Sequence, residues 1–449
     1  MSSVEYKSIF ALSLIFSVRM LGLFMVIPVL AVFTQGMNGF SPVTVGLAIG
    51  GYGFSQALLQ IPMGWLSDKI GRKSVISAGL LIFMVGSVIA ALSDSMNGII
   101  MGRIIQGCGA ISAAIIALAA DLTREQHRTK GMAIIGMGIG LSFCLAMIMG
   151  PVIGSYGGLS GLFLANAAMG GIALMALIFF VPSPVVFSRD LNSHVQVGKI
   201  RDILRNPNLL RYMGGIFTLH FVLMALFVFI PKQLQQAGYD SAFQGVVYLG
   251  VMMASLVVMM PMIIISERRR WLKQFMLVSI AVLLLSLALL SEVKISNGGL
   301  IVAIILFFIA FNFLEATLPS LVSKQSKAGF RGTAMGIYTT CQFLGAALGG
   351  SLGGWIMMFY GIQGVVFLCG ILVALWWLYS ATMKHPPYVR SMVMALYPSS
   401  RGNTQETGQM LAALPGVEDV SILADEGIAY LKVDWQRVDR SMLYRYGKC

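Results

Sequence analysis

A short charged turn stands between two long apolar runs near the start of the chain. It runs from Gly64 to Lys73 and reads GWLSDKIGRK, and each flanking run is long enough to cross a bilayer. Gly71 permits a sharp reversal of the backbone, Asp68 ends one run, and Arg72 and Lys73 begin the next. Charges of this kind are costly among lipid tails. The turn is therefore predicted to lie at a membrane face, which makes the chain a membrane protein.

The composition supports the same class of protein independently. Of 449 residues, 57% are hydrophobic and 11% are charged, whereas roughly 25% are charged in a typical soluble domain. A spanning helix needs about 20 apolar residues, and the sequence contains twelve runs of that size. We therefore predict an all-α polytopic membrane protein with spans at roughly 8–33, 43–67, 74–93, 97–120, 131–155, 159–181, 210–231, 243–265, 271–291, 298–322, 331–357 and 362–382.

The distribution of positive charge predicts the orientation. The net charge of +13 could suggest a nucleic-acid partner. However, 20 of the lysines and arginines in the loops fall on one side of the predicted membrane, and only Lys232 and Lys294 fall on the other. By the positive-inside rule, this bias places both termini in the cytoplasm of a cell whose inner (plasma) membrane holds the protein. The lipid bilayer replaces nucleic acid as the expected partner.

The chain divides into two apolar halves, a linker and a tail. We predict an N-terminal six-helix half at 1–181, a cytoplasmic linker at 182–208, a C-terminal six-helix half at 209–385 and a separate domain at 386–449. The linker is polar and can hold a short amphipathic helix. The second half repeats part of the charged turn at Ile265–Arg270, ISERRR, which keeps an acid and the cations but lacks the glycine. Duplication of a six-helix unit explains this partial repeat.

The tail has the composition of a small water-soluble domain. Its pattern predicts a strand at 388–396, a helix at 404–414, strands at 417–423 and 428–433, and a final helix at 438–446. This order suggests an α+β ferredoxin-like cytosolic domain, similar to that of cytosolic metal chaperones. The loop from Tyr397 to Gly408 contains no cysteine, so we expect no bound metal ion there. Regulation or stabilisation is the predicted role, with an unknown ligand or partner.

Three motifs resemble those of the major facilitator superfamily. The charged turn is similar to the family pattern G-x-L-a-D-r-x-G-r-k, with Lys69 at one arginine position. The segment from Arg103 to Ala110, RIIQGCGA, resembles R-x-x-q-G-x-g-a. Gly150, Pro151 and Gly154 resemble part of an antiporter motif, although Ala146 and Ser155 replace two of its glycines. Small residues and a proline would let that helix pack closely and bend.

The resemblance implies a transporter with a gate at the charged turn. Arg72 would bridge to Asp121 at the end of the fourth span. Asp68 would face the start of the eleventh helix near Gly332 and Thr333, where the helix dipole favours an anion. Together these groups would latch the cytoplasmic side and stabilise the state that is open to the outside.

Energy coupling needs a titratable group deep in the bilayer, and Glu315 is the acid placed there. Its neighbours Phe311 and Phe313 would desolvate the carboxylate and favour its neutral form. Arg19 and His220 lie at a similar depth, so the three groups could share one cavity. Glu315 would carry the transported proton there, and Arg19 or His220 would modulate its affinity for the proton. Alternatively, Glu315 and Arg19 form a fixed ion pair, and His220 is an ordinary core residue.

The arginine of the fourth span is a second candidate for the central cavity. Arg103 lies within an apolar run, and a buried guanidinium is functional by default. In the alternative interpretation, its long side chain extends to the nearby membrane face.

The sequence indicates less about substrate recognition than about energy coupling. Thirty methionines and many aromatic residues could line an adaptable apolar cavity. Polar side chains at mid-span depth could hold a polar end of the substrate, namely Gln56, Gln60, Asn166, Asn312 and Gln342. The chain has no nucleotide-binding loop of the G-x4-G-K-[ST] type, so ATP is not the evident energy source.

The predicted function is proton-coupled secondary active transport, with export of small lipophilic or drug-like compounds by alternating access. We expect no enzyme activity, no cofactor and no metal ion, and we expect protons and a small molecule as partners. Two alternatives remain: a uniporter or importer of a metabolite or sugar on the same fold, and a non-transporting membrane sensor that signals through the tail.

Overall fold

The apolar part of the chain folds into a bundle of long helices. A computed structural model describes residues 3–123, 125–182, 200–292, 296–326, 331–383, 390–397, 404–423, 427–434 and 437–448. In the first half the helices are α1 Ser3–Met25, α2 Ile27–Phe33, α3 Pro42–Ile70, α4 Arg72–Ala91, α5 Met96–Cys108, α6 Ser112–Asp121 and α7 Glu125–Phe180. The second half contains α8 Ile200–Leu204, α9 Pro207–Phe227, α10 Ile230–Gln236, α11 Ser241–Arg268, α12 Leu272–Leu290, α13 Asn297–Gln325 and α14 Arg331–Ala381.

Local sequence signals define where these helices begin. Before α3, the Ser41 hydroxyl accepts from the Thr44 backbone N–H at 3.1 Å, and the Ser41 N–H donates to the Thr44 hydroxyl at 2.9 Å. Such a capping box satisfies two backbone donors at a helix start. Asp240 and Ser296 cap α11 and α13 in a simpler way, each accepting one backbone N–H. Most of the predicted linker, at 183–199, lies outside the described residues. Helix α8 lies in the remaining part of the linker.

Nine helices within the described ranges are long and apolar enough to cross a membrane, which makes the chain a multi-pass membrane protein. Two of them are interrupted. Helix α7 contains Gly158 at φ +60°, and α14 contains Gly361 at φ +63°, so each consists of two shorter helical segments. These glycines fall within two residues of predicted span boundaries. The exact number of twelve spans stays a prediction.

The two halves touch along glycine-rich stretches of α3 and α14. A Cβ atom added to Gly46 would lie 2.2 Å from the Gly350 carbonyl oxygen, and one added to Gly50 would lie 2.3 Å from that of Ala347. Gly46 is near the start of α3, so this contact lies at the bundle end opposite the charged turn. On the same side of the bundle, Gly245 of α11 approaches the Ile148 carbonyl of α7. We call the contact between α3 and α14 the glycine seam.

Aromatic rings pack between α1 and α7 of the first half and α13 of the second. The Phe143 ring of α7 lies 4.8 Å from that of Phe24 in α1 and 5.5 Å from that of Phe311 in α13, measured between centroids. Phe311 in turn lies 5.7 Å from the His220 ring. Contacts at these distances are favourable edge or offset packings. The ring set therefore connects the first half to the interior of the second.

The tail forms a four-stranded antiparallel sheet with two helices. Its elements are β1 Arg390–Leu396, α15 Thr404–Ala412, β2 Val417–Leu423, β3 Ile428–Val433, α16 Arg440–Leu443 and β4 Gly447–Lys448. The strand order is β2-β3-β1-β4. The predicted order of elements is present, and β4 is an additional strand that the sequence pattern did not indicate. This succession is consistent with a small ferredoxin-like domain.

Candidate functional site

Glu315, His220 and Gln342 converge from three helices of the second half. The Gln342 side-chain amide nitrogen of α14 donates to Glu315 Oε1 at 3.0 Å and lies 2.9 Å from His220 Nε2. His220 Nδ1 is 3.8 Å from Glu315 Oε2. The Glu315 side chain is 33% exposed, whereas that of His220 is 4% exposed. The structure thus joins a reachable carboxyl group to a buried imidazole through one amide.

The amide contact determines which imidazole nitrogen accepts. An amide nitrogen can only donate, so His220 Nε2 accepts and the ring proton sits on Nδ1, the atom that faces Glu315 Oε2. Both atoms are buried, and their separation of 3.8 Å is longer than a hydrogen bond. A proton that reached Glu315 would therefore change the charge next to a ring that is already oriented towards it. The three side chains have the chemistry of a proton-binding site.

Arg19 does not belong to this group, although its depth in the sequence predicted that it would. Its Nη1 donates to the Ser112 hydroxyl at 3.2 Å, and its Nη2 donates to Gln56 Oε1. Gln56 continues the network, since its amide donates to Gln60 Oε1 at 2.9 Å. These partners all belong to the first half. Arg19 makes no ion pair with Glu315 in the described structure, so the fixed-pair alternative is wrong for this state.

Arg103 lies inside the first half and is fully buried. Its Nε donates to the Ala48 carbonyl oxygen at 3.2 Å, and its Nη1 donates to Gln106 Oε1 at 3.0 Å. The side chain therefore points inward instead of extending to a membrane face. The predicted placement of Arg103 with Glu315 in one cavity is also not observed, because its partners are on α3 and α5.

The remaining predicted polar residues separate into the two halves. Asn166 is buried, and its amide donates to the Gly22 carbonyl oxygen at 3.0 Å. Asn312 is half-buried one turn before Glu315, and its amide donates to the Ser255 hydroxyl at 2.7 Å. Of the five predicted substrate contacts, only Asn312 and Gln342 thus lie beside the Glu315 group.

The glycines of the antiporter-like motif allow close packing of α7 on the first two helices. A Cβ atom at Gly150 would lie 2.3 Å from the Met25 carbonyl oxygen, and one at Gly154 would lie 3.1 Å from the Phe33 ring. Pro151 lies inside α7 between these glycines. The segment therefore packs at backbone distance, as small residues permit.

The charged turn forms a compact ion network at its end of the bundle. Gly71 adopts φ +97°, which glycine accommodates without strain, and α4 begins at the next residue. Arg72 Nε donates to Asp121 Oδ2 at 2.9 Å, and its Nη1 donates to Asp68 Oδ1 and to the Ser67 hydroxyl. The Arg72 and Asp121 side chains are 2% and 0% exposed, whereas Asp68 is 38% exposed. Arg72 thus links the ends of α3 and α6.

Two further residues of the turn fix its surroundings. Lys73 Nζ donates to the Val181 carbonyl oxygen at 2.7 Å, and a Cβ atom at Gly64 would lie 3.2 Å from that of Ala113 in α6. The predicted approach of Asp68 to the start of α14, near Gly332 and Thr333, stays a prediction.

We expect Asp121→Asn and Arg72→Ala to lower the thermal stability of the detergent-solubilised protein by similar amounts. Asp121→Asn leaves the buried Arg72 with only the partly exposed Asp68 as counter-charge, and Arg72→Ala removes the cation from both carboxylates. Breaking a buried pair typically costs about 3–5 kcal/mol. Asp68→Asn should cost much less, because Asp68 is partly exposed. Thermal unfolding of the three variants measures the difference, and an Asp121→Asn protein as stable as wild type would refute the structural role of the pair.

The tail contacts the second half through one face of its sheet. Ala429, Leu431 and Val433 of β3 pack into the tail's own core. On the opposite face, Lys432 and Asp434 are only 6% exposed. Both faces of this strand are therefore covered, one by the tail and the other by the spanning helices.

Lys432 binds the carbonyl-rich end of α13. Its Nζ donates to the carbonyl oxygens of Ser323, Lys324 and Ser326, at 3.0 Å and 2.8 Å for the first two. A helix end exposes carbonyls that lack partners and carries partial negative charge, so a lysine is well suited to it. Asp434 accepts from Arg270 Nη2 at 2.9 Å, just beyond the end of α11. The tail is thus tied to two adjacent helix ends.

Several residues that shape these sites were not identified from the sequence. Tyr52 lies between Arg19 and Arg103, and its position four residues before Gln56 on one helix face could have revealed it. Lys432 and Asp434 alternate with the apolar residues Ala429, Leu431 and Val433, a pattern that is typical of a strand with one solvent-exposed face. No local pattern distinguishes a solvent-facing lysine from one that binds a helix end.

Comparison with known proteins gives concordant results. The family profile of the Major Facilitator Superfamily matches residues 12–350. The inner membrane transport protein YajR of Escherichia coli (strain K12) is 43% identical over 98% of this chain and 97% of its own length. Multidrug resistance protein 2 of Bacillus subtilis (strain 168) is 27% identical over 78% of this chain and 89% of its length.

Solved structures agree on the fold. One is the crystal structure of a bacterial homologue of the human lysosomal transporter Spinster, in an inward-facing and occupied conformation. The match covers 85% of this chain and 97% of the homologue's chain, with a TM-score of 0.68 and 13% sequence identity. An extensive profile match, a relative at 43% identity over nearly the whole chain, and a shared helical architecture lead to one conclusion. The chain belongs to the Major Facilitator Superfamily of membrane transporters.

Proposed function

We propose that the protein is a proton-coupled exporter of small lipophilic or drug-like compounds that works by alternating access. The observation that carries this proposal is the Glu315–Gln342–His220 group. It is a partly exposed carboxyl group in a membrane-spanning helix, joined to an imidazole that would respond to its charge. Secondary transporters bind their coupling ions in such sites near the bilayer midplane.

Export of lipophilic compounds is supported by the surroundings of this group. Phe311 packs against His220, and Asn312 offers an amide bonded to Ser255 one turn from Glu315. An apolar compound with one polar end would find both kinds of contact there. The similarity to a protein named for multidrug resistance points in the same direction, without defining the compound.

The packing of the halves supports alternating access with the charged turn as one gate. The glycine seam holds the halves together at the end opposite the turn. If the turn lies in the cytoplasm, the described state is closed to the outside. The Arg72–Asp121 bridge would persist in both states, and Asp68 facing the start of α14 would stabilise the outward-open state.

Purified protein in liposomes tests this function directly. A pH gradient is imposed across the membrane, candidate compounds are added, and release of protons from the acidic compartment is followed with a fluorescent indicator. Proton release that depends on a compound supports antiport. Compound flux that is indifferent to the gradient would favour a uniporter, and the absence of flux for a broad compound panel would favour a sensor.

For the tail we propose a stabilising and regulatory role. Lys432 and Asp434 connect the ends of α11 and α13, which are the counterparts of the helix ends that Arg72 and Asp121 connect in the first half. The second half has its own smaller bridge there, from Lys324 to Glu267 at 2.6 Å. The tail would therefore reinforce the weaker of two related gates from outside the bundle.

We expect Asp434→Arg to release the tail, because it places a cation opposite Arg270. Arg270→Asp combined with Asp434→Arg should restore the contact with reversed charges. Limited proteolysis of the segment 384–389 in membranes measures release, and transport should persist in the single variant at an altered rate. Lys448→Glu, at the far edge of the sheet, serves as the control. Equal protease sensitivity of the single and double variants would contradict a specific Arg270–Asp434 contact.

A further inference from the structure

Tyr52 separates two buried arginines in the first half of the bundle. The ring centroid of Tyr52, on α3, lies 4.8 Å from Arg103 Cζ of α5 and 6.0 Å from Arg19 Cζ of α1. All three side chains are at most 1% exposed. The position is distinct from the Glu315 group, whose hydrogen-bond partners all belong to the second half.

The positive charge at this position has no acidic partner. Arg19 donates to the Ser112 hydroxyl and to Gln56 Oε1, and Arg103 donates to the Ala48 backbone carbonyl oxygen and to Gln106 Oε1. Every one of these acceptors is neutral. No carboxylate pairs with either guanidinium in the described structure, so two positive charges are enclosed by spanning helices without compensation. Buried charges in membrane proteins are costly unless they are paired.

The unused hydrogen-bonding groups around Tyr52 share one property. Arg19 Nε, Arg103 Nη2 and the Tyr52 hydroxyl are buried and have no hydrogen-bond partner. An arginine nitrogen can only donate, and a tyrosine hydroxyl can donate. Buried polar groups normally find partners. One acceptor could serve all three groups, and a negatively charged acceptor would also offset the positive charge of the two arginines.

We propose that the first half binds a small anion beside Tyr52, held by Arg19 and Arg103. The ligand class is a monovalent acceptor without donors of its own, which is either a halide ion or the carboxylate end of a small organic acid. A water molecule would satisfy the donors but would leave both charges uncompensated. The site does not depend on proton coupling at Glu315, so each proposal can fail alone.

The test is thermal unfolding of the full-length protein in detergent at constant ionic strength. Sodium gluconate, whose anion is large, is replaced stepwise by sodium chloride, sodium bromide or sodium acetate. We expect a saturable rise in Tm of about 3 °C or more with the small anions, and the same rise with choline as the cation. A response to halides alone identifies an inorganic ion, whereas a response to acetate as well identifies the acid group of an organic ligand.

Two matched variants locate the effect. Tyr52→Phe removes one donor and should raise the half-saturating chloride concentration about tenfold, the equivalent of one hydrogen bond of about 1.4 kcal/mol. Tyr248→Phe removes a hydroxyl that is equally buried and unpartnered, but lies in the second half, and should leave the chloride dependence unchanged. Arg103→Gln should abolish the dependence; if it does not fold, Tyr52→Phe still decides.

Two results would overturn the proposal. One is an identical Tm in chloride and gluconate for the wild-type protein. The other is a chloride response that Tyr52→Phe and Tyr248→Phe retain equally, which would assign the effect to surface ions. Either result would mean that the protein does not hold a small anion beside Tyr52.

Discussion

Glu315→Gln should abolish accumulation driven by a pH gradient while it leaves substrate binding largely intact. The amide of glutamine keeps the size of the side chain and its contact with Gln342, but it cannot bind and release a proton at neutral pH. Without that step, the transporter can no longer alternate between a proton-bound and a substrate-bound state. The measurement is substrate flux in liposomes, with and without the gradient, beside equilibrium binding in detergent.

Thermal unfolding separates this result from misfolding. Because Arg19 does not pair with Glu315, the variant should unfold within a few degrees of the wild-type protein. Glu292→Gln, which changes an exposed carboxyl group in a loop, should transport normally. His220→Gln should retain flux but shift its pH dependence, because it removes the ring that faces Glu315 Oε2. A normal gradient-driven flux in Glu315→Gln would exclude Glu315 as the proton carrier.

Gly46→Ala should reduce transport by about tenfold or more, although alanine is the better helix former. The added methyl group would lie 2.2 Å from the Gly350 carbonyl oxygen, and a backbone atom cannot rotate away. The seam must then widen, which disfavours the state closed at that end. A shift of about 1.4 kcal/mol in the equilibrium between the two states changes their ratio tenfold.

Gly250→Ala is the matched control, since a Cβ atom at Gly250 meets nothing within 4 Å. Both substitutions should favour the helix by roughly 0.5–1 kcal/mol. If only Gly46→Ala reduces transport, a lower helix stability therefore cannot be the cause. Cysteine labelling of a Ser351→Cys reporter at the seam should increase in the Gly46→Ala background. Equal activity of the two glycine variants would contradict the seam as a moving contact.

The sequence determined the architecture well because its signals were local. Apolar runs, loop charges and the glycine of the turn each act within about twenty residues, and they predicted the helices and the tail elements. The proximity of Arg72 to Asp121 was implied by the resemblance to the major facilitator superfamily and not by a local signal. The Glu315 site could be predicted only in part from the sequence. Depth along a helix can be counted from the sequence, but the rotation of that helix about its axis cannot, so Arg19 was grouped with Glu315 at equal depth although it faces the first half.

Contacts between distant segments account for the rest. Gln342 was predicted as a substrate contact, and its bond to Glu315 depends on how α13 and α14 pack. The docking of Lys432 depends on backbone carbonyls at Ser323 and Ser326, which any residue type would provide. The carbonyl acceptors of Lys432 therefore cannot be recognised from the sequence, and they become apparent only in the folded chain.

The glycine seam also has a consequence for the speed of the transport cycle. Interlocked side chains must leave their pockets before two surfaces separate, and the loss of that packing creates an energy barrier. At Gly46 and Gly50 the nearest atoms across the contact are backbone atoms of α14 and the short Ser351 side chain. Such surfaces can part in one short movement without rotamer changes. The seam is therefore expected to open within the microsecond-to-millisecond range of domain motions, which would leave proton transfer or substrate release as the slow step.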